Sequence, residues 1–443
     1  MTKNSFPSVS MFRFFANSVN ILKNPLPFHH ENFEKLGDTF ELNIGPGKSV
    51  IFSRDAGFAQ YALQKNQRNY KKSTIQTVDL AKYVGKGLLT SEGEHWRKQR
   101  KLIQPAFHKK QLMQLLDTIQ AAILTELGKI DTEGSIDVFP IFNDLAFQTV
   151  VKSLFSSAVG ESEISRLQFI TEAAQKMLVK ELRQPYLGWW FQLGGSIKHH
   201  VGLTQEAREI LKTLVAKRKN SGVREDDLLD MLLDARYEDG NAMEEEQLID
   251  EILILFTAGH ETTSNALTFT AELLARDPEA QDKIAEEAAK ASQETTGLFE
   301  FIQACPYTKS VIEESMRLYP PAYFIDRVNI EDDEFNGMFI PKGSNLLFSM
   351  HEIHRHPDLW EEPDRFMPER FSEGNAQKHS SYYFPFGAGP RMCIGNNFAM
   401  YEMILAIGAL IKKYKISSER EEIGIHPLIT LKPKDSIMQF KLR

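Results

Sequence analysis

Cys393 stands in the run FPFGAGPRMCIG, residues 384–395, with Gly387, Gly389, Gly395, two prolines, two phenylalanines and Arg391 around it. A thiolate is the form of cysteine that binds metals or attacks electrophiles. The apolar-periodic stretch IGNNFAMYEMILAIGALI follows it and reads as a helix. A helix N-terminus offers unpaired N–H groups and a positive dipole end, and both favour an anion. Glycines let the backbone turn sharply and leave room for something flat against the sulfur. Arg391, two residues ahead of the thiol, can neutralise a carboxylate. On the residues alone an inert cysteine on a tight turn stays open. A nucleophile lacks a paired-base signature, and zinc lacks a C-x-x-C partner.

Residues 258–264, AGHETTS, sit inside an apolar helical run. Glycine in a helix interior costs about 1 kcal/mol relative to alanine, and threonine hydroxyls compete for backbone carbonyls. These weak points predict a local opening of the helix ladder that admits a small ligand. A solvated helix turn is the plainer account of HETTS by itself, and His260 reads as an ordinary helix-face histidine. Glu314 and Arg317, three apart in EESMR, share a helix face, although such a pair on a surface is worth little. The basic run RKQRK, residues 97–101, reads first as a solvated helix face. His351, His354 and His356 in HEIHRHP read as a loop rather than a metal cluster. Cys305 reads as structural.

Phe386, Gly389, Arg391, Cys393 and Gly395 match F-x-x-G-x-R-x-C-x-G at every fixed position. This resembles the haem-binding signature of the cytochrome P-450 family, and three further motifs follow the family's order over essentially the whole chain. The resemblance implies haem b, with Cys393 as the axial thiolate ligand of its iron; that ligand favours O–O cleavage in this family. It implies that Phe386 shields the sulfur and Gly389 permits close approach. Ala258 and Gly259 would make room for dioxygen, with Glu261 and Thr262 as the acid–alcohol pair that relays protons. Glu314, Arg317 and Arg370 (in MPERF) would form a buried network tying a helix to the cysteine loop. Trp96 and Arg100 (in HWRKQR), Arg327 and Arg391 would hold the propionates. The 97–101 run would border the surface where an electron donor docks.

These groups need elements to position them. Residues 38–53 read as two strands around a Gly-Pro-Gly turn, and residues 92–220 as mostly helical, interrupted near YLGWWFQLGGS. Residues 243–277 read as one long helix. A further helix starts at Pro306 and stops at Pro320. Residues 322–349 carry short strands with a turn at Gly337, residues 350–392 little periodicity, and the last fifteen residues a closing hairpin. The sum is a mainly α protein with a small β portion in a single domain; the resemblance implies the cytochrome P-450 fold and one catalytic domain over 1–443.

A net charge of −8 argues against nucleic acid as a partner, and two cysteines cannot build a disulfide framework. The longest apolar run, MILAIGALI, is far short of the ~20 residues a membrane span needs. A cytoplasmic protein is expected, with peripheral contact through the N-terminal aromatics left open. The function implied is that of a bacterial haem-thiolate monooxygenase. It inserts one atom of dioxygen into a C–H bond, with electrons from a ferredoxin or flavodoxin and its NAD(P)H-dependent reductase. The substrate expected is aliphatic or terpenoid. Oxidative O-demethylation releasing formaldehyde is the alternative, since the lysine-, asparagine- and isoleucine-leaning chain also resembles bacterial demethylases of O-methylated sugars. A haem-thiolate sensor or electron carrier is the reading from another class, against which the Glu261-Thr262 pair speaks. Pocket walls are expected from 75–89, 186–191, the helix near Leu255, 322–325 and 426–428. The tandem Trp189-Trp190 is expected in the core.

Overall fold

The computed structural model describes residues 5–156, 159–184 and 187–443, Ala376 by its backbone alone. The chain divides into two compact units. One comprises Met1–Ser73, Ser310–Cys393 and Gly424–Lys434; the other Thr74–Lys309, Ile394–Ile423 and Asp435–Arg443.

The first unit is built on a six-stranded sheet. Its strands run in the order Ser8–Val9, Thr39–Gly45, Lys48–Ser53, Asn345–Ser349, Phe324–Asn329 and Tyr70–Lys71. The expected hairpin over 38–53 is present, with Phe40 opposite Phe52 and Leu42 opposite Val50. Alternation along Thr39–Gly45 buries Phe40 and Leu42. They join Val9, Phe28, Phe33 and Phe52 in one apolar cluster. A second cluster gathers Phe58, Leu63, Tyr70, Leu346, Phe348 and Met350 with Phe384 and Ala388 of the cysteine loop. The loop is therefore rooted in the core. The turn expected at Gly337 joins Asp333–Phe335 to Met338–Ile340, with Asn336 and Gly337 both at positive φ as a tight hairpin turn requires.

The second unit is helical. Glu245–Leu274 runs thirty residues without interruption, packs on Phe139–Phe155, and ends where Asp277 caps the next helix ahead of Pro278. Asn396–Lys413 matches the helix expected after Cys393. Pro306–Leu318 matches the helix entered at Pro306, which passes from this unit into the other.

The closing hairpin does not form. Leu431–Pro433 pairs with Ile425–Pro427. Ile437–Leu442 pairs with Tyr414–Ser417 and with Ser135–Asp137. Met438 and Phe440 alternate inward on that last strand, and a three-stranded sheet shields them better than a lone hairpin would.

Candidate active site

The cysteine loop is a closed structure. The Cys393 N–H donates to the Phe386 carbonyl at 2.9 Å, Gly387 N–H to Phe384 at 3.0 Å, and Met392 N–H to Gly389 at 3.0 Å. Gly387 and Gly389 hold φ of +74° and +71°, the left-handed region glycine alone enters freely. A Cβ on Gly389 would lie 2.0 Å from the Leu63 carbonyl oxygen, so this glycine is demanded twice over. Ala388 and Phe384 are buried while Cys393 is exposed. The backbone is thus fixed by the core and the thiol is left accessible, as axial ligation requires. The other thiol, Cys305, is buried, and burial pushes its pKa up to about 12, in keeping with a structural role.

Gly387 lies beside Ile325 of strand Phe324–Asn329. Arg327, two residues on, shares that face of the strand; it is buried and donates to the Asp326 carbonyl at 2.7 Å. Arg391 sits in the helical turn Gly389–Arg391. A group held at Cys393 would have Phe386, Gly389 and Arg391 of the loop beside it and Arg327 on the neighbouring strand.

The Glu314–Arg317 pair is not a surface pair: both side chains are 0% exposed. Arg317 Nε and Nη2 donate to the Glu314 carboxylate at 2.7 and 2.9 Å. Its remaining N–H groups reach the carbonyls of His354, Pro363 and Arg365 at 2.8, 2.6 and 3.1 Å. The guanidinium also lies 5.0 Å from the Trp360 ring centre. Arg370 completes the network, its Nε 3.4 Å from Glu314, which also accepts from the Met367 N–H at 2.8 Å.

His354 connects this network to the cysteine loop, a role the sequence reading passed over as ordinary loop. Its Nε2 accepts the Phe384 N–H at 2.9 Å, which places the proton on Nδ1. Burial first, then the nearby Arg317 and Arg355, hold its pKa well below the usual histidine range, which favours the neutral ring that accepts this bond. The other two histidines lie beside carboxylates instead: His356 contacts Asp38 at 3.1 Å and His351 lies 3.5 Å from Glu352. Among the described residues no group of histidine, cysteine and acid side chains is arranged to hold a metal ion.

In the helical unit, residues 258–264 stay within a continuous helix, so the expected opening of the ladder does not appear as a break. The threonine hydroxyl does compete, as Thr262 Oγ1 donates to the Ala258 carbonyl at 2.8 Å. A Cβ on Gly259 would lie 3.1 Å from Val150. This glycine therefore lets the helix approach Phe139–Phe155. His260 is buried, with Nδ1 2.6 Å from the Phe256 carbonyl and its ring edge-on to Phe147, as an ordinary packing histidine. Leu255, Ala258, Gly259 and Thr262 are partly accessible beside the buried Ile254, Phe256, His260 and Thr263. The spacing of the accessible four puts them on one face, apolar except for the one hydroxyl. Glu261, also partly accessible, adjoins it.

Trp96 and Arg100 lie one turn apart on Gly93–Ile103, both half-buried. On the same helix the basic run is partly neutralised, because Arg97 pairs with Glu94 and Lys101 with Glu238. The segment 75–89 is anchored by two carboxylates: Lys86 and Leu88 N–H groups donate to Asp250 at 2.7 Å and Glu251 at 2.9 Å. A Cβ on Gly85 or Gly87 would collide with those side chains. The glycine pair in YVGKGLL was the available signal, and it was missed. In the sheet unit, Tyr323 donates to the Leu428 carbonyl at 2.6 Å and so joins the expected wall segments 322–325 and 426–428. Trp189 and Trp190 are not core. They are about 60% exposed on the six-residue helix Gly188–Leu193, which buries none of its residues; so short a helix, bounded by glycines, has no inner face to hide two indoles. Tyr186, expected beside them, lies outside the described residues.

The family model described as cytochrome P-450 matches residues 7–440. Cyclooctat-9-en-7-ol 5-monooxygenase of Streptomyces melanosporofaciens is 28% identical over 405 residues, covering 90% of this chain and 87% of the relative. Pentalenene oxygenase of Streptomyces avermitilis is 26% identical over 409 residues, covering 91% and 89%. From plants, 11-oxo-beta-amyrin 30-oxidase of Medicago truncatula is 30% identical over 438 residues, covering 93% and 82%. The accessible thiol on a loop closed by its own backbone and the whole-length match agree: this chain belongs to the cytochrome P-450 family, whose members are monooxygenases that bind haem b through a cysteine thiolate.

Proposed function

We propose that this monooxygenase hydroxylates an apolar aliphatic or terpenoid compound, with Cys393 as the thiolate ligand. The observation that carries the substrate class is the accessible face of Glu245–Leu274, where Leu255, Ala258 and Gly259 offer no charge and Thr262 a single hydroxyl. Such a face binds hydrocarbon by burying it, at roughly 25 cal/mol per Å², and presents few groups to recognise a polyol. The relatives support the same class, since their names give cyclooctat-9-en-7-ol, pentalenene and 11-oxo-beta-amyrin as what they oxidise.

The haem supplies dioxygen activation when bound; the protein's part is to hold it and to deliver protons. In this reading Arg391, Arg327, Trp96 and Arg100 pair with the propionates, and Phe386 and Gly389 fix the approach to the sulfur. Thr262 donates to the Ala258 carbonyl and keeps lone pairs with which to accept a further hydrogen bond. It can therefore orient a donor beside the accessible face, and Glu261 next to it is the proton supply. Glu314, Arg317 and Arg370 are positioning residues for the cysteine loop. The match across 7–440 supports one catalytic domain.

Family members take electrons from a redox partner. A ferredoxin or flavodoxin with its reductase is the proposed source, docking at Lys98 and the neighbouring cations, with the whole system cytoplasmic. The test is a screen of terpenoids, fatty acids and methoxy sugars by the low-to-high-spin shift, followed by product analysis. A hydroxylated terpenoid or alkane product supports the proposal. Formaldehyde from a methoxy sugar, with no shift by any terpenoid, replaces it with O-demethylation.

A further inference from the structure

The turn Tyr61–Lys65, which follows the helix Ala56–Gln60, is wound more widely than an α-helix. The Asn66 N–H donates to the Tyr61 carbonyl, five residues back, at 2.8 Å. Wide turns of this kind are frequent at functional sites. At the middle of this one the Leu63 carbonyl lies against Gly389, with no room for a Cβ between them. Ala59, Ala62 and Leu63 also share one apolar cluster with Phe384 and Ala388 of the cysteine loop. The turn is therefore a wall of that loop.

Asp333, the first residue of the strand Asp333–Phe335, closes the turn at both ends. Its carboxylate accepts the Tyr61 hydroxyl at 2.9 Å where the turn begins, and the Asn66 side-chain amide at 2.9 Å where it stops. Asn66 donates to the Tyr61 oxygen as well, at 2.9 Å. Asn69 and Tyr70 add bonds of 3.2 and 2.6 Å, and the Glu334 N–H one of 2.9 Å. Hydrogen bonds to an ionised acceptor are the strong ones. Burial pushes the Asp333 pKa up, but the bonds from Tyr70, the Glu334 N–H, Tyr61 and Asn69 outweigh it and hold the carboxyl below its usual range. In the run EDDE, residues 331–334, the other three acids are exposed and Asp333 is half-buried.

We propose that Asp333 is a positioning residue for the haem thiolate: it fixes the Tyr61–Lys65 turn, and the turn seats Gly389 and with it the cysteine loop. The proposal rests on Cys393 as the iron ligand. Groups beyond the first ligand orient it and tune the metal, and hydrogen bonding and burial around a ligating sulfur set its potential. Loosened N–H groups stabilise the thiolate less, so the ferric form gains.

The test compares haem-loaded Asp333→Ala with wild type by three measurements on the full chain: urea titration, the spectrum of the ferrous carbonyl complex, and the ferric–ferrous midpoint potential. Phe335 stacks on Phe58 with ring centres 4.6 Å apart, which keeps the hairpin docked without the carboxylate. In folded Asp333→Ala the potential should move to favour the ferric form several-fold, up to about tenfold. An unshifted Soret band should appear beside the red-shifted one. Asp333→Asn keeps one acceptor oxygen and should fall between. Met438→Ala, a buried change in the helical unit, is the control: it should lower stability and leave band and potential at wild-type values. If Asp333→Ala does not fold, the pair Tyr61→Phe and Asn66→Ala removes the contacts at both ends of the turn and carries the same expectation. A wild-type band and potential in the folded variant, or the same displacement in Met438→Ala, overturns the proposal. An unshifted band in the wild-type protein overturns the Cys393 reading itself, and the proposal with it.

Discussion

Replacing Arg317 by alanine tests whether the cysteine loop is held from a distance. The guanidinium is fully buried and donates five hydrogen bonds, two to Glu314 and one each to the carbonyls of His354, Pro363 and Arg365. Its loss leaves the buried Glu314 carboxylate with only the Met367 N–H and the longer Arg370 contact. Breaking a buried pair on one side costs about 3–5 kcal/mol, set against a typical total stability of about 5–15 kcal/mol. The folded-to-unfolded ratio should therefore fall about a hundredfold to several-thousandfold. The damage is also local. His354 loses an anchor on its carbonyl while its ring holds the Phe384 N–H at the root of the loop. Arg317→Ala should thus be purified with little or no haem, and what folds should unfold at much lower urea. Arg317→Lys keeps the charge without the planar fork and should recover stability only in part. Urea titration by circular dichroism, with haem content measured per mole of folded chain, gives both readouts. A variant that binds haem normally and unfolds within about 1 kcal/mol of wild type would refute the reasoning.

Other consequences can be checked separately. Gly389→Ala should cost about 2–4 kcal/mol, from positive φ and the clash with the Leu63 carbonyl; Gly337→Asn, at an open hairpin turn, should cost under about 1 kcal/mol in the same urea assay. Thr262→Ala should leave haem binding intact yet lower product formed per electron consumed by tenfold or more, if the hydroxyl serves proton delivery, as measured by product against NAD(P)H oxidation. Burial pushes the pKa of His29 and His351 down to about 4, so the unfolded chain binds more protons below pH 6.5. Stability present above pH 6.5 should be lost progressively as pH falls towards 4, and His351→Gln should flatten that slope in urea titrations at several pH values. Because Arg97 and Lys101 are already paired, Lys98→Glu should slow reduction by an acidic ferredoxin only a few-fold, the effect vanishing at high salt.

Local signals in the sequence located what they could reach. Prolines and helical periodicity placed Pro306–Leu318 and Glu245–Leu274, and alternation about a Gly-Pro-Gly turn placed the first hairpin. The cysteine loop was legible because its glycines, arginine and thiol lie within ten residues. The parts not legible depend on distant partners. Ile437–Leu442 pairs with a three-residue strand some three hundred positions earlier, and nothing in its own residues selects that partner over a local hairpin. The bond from Phe384 to His354 spans thirty residues, and a histidine among loop prolines gives no sign of it. Gly259 is partly accessible and also packs closely on Val150; a missing side chain does not by itself say which neighbour needs the space. Tryptophan's size suggested a core position for Trp189 and Trp190, and the short helix that carries them has no buried face.

The proposed function rests on Cys393 ligating the haem iron as a thiolate. The direct measurement is the absorption spectrum of the purified protein, reduced with dithionite and saturated with carbon monoxide at neutral pH. A Soret band shifted well to the red is expected in the wild-type protein and is absent from a folded Cys393→Ser variant. An unshifted band in the folded, haem-loaded wild-type protein, or a red-shifted band that survives Cys393→Ser, would contradict it.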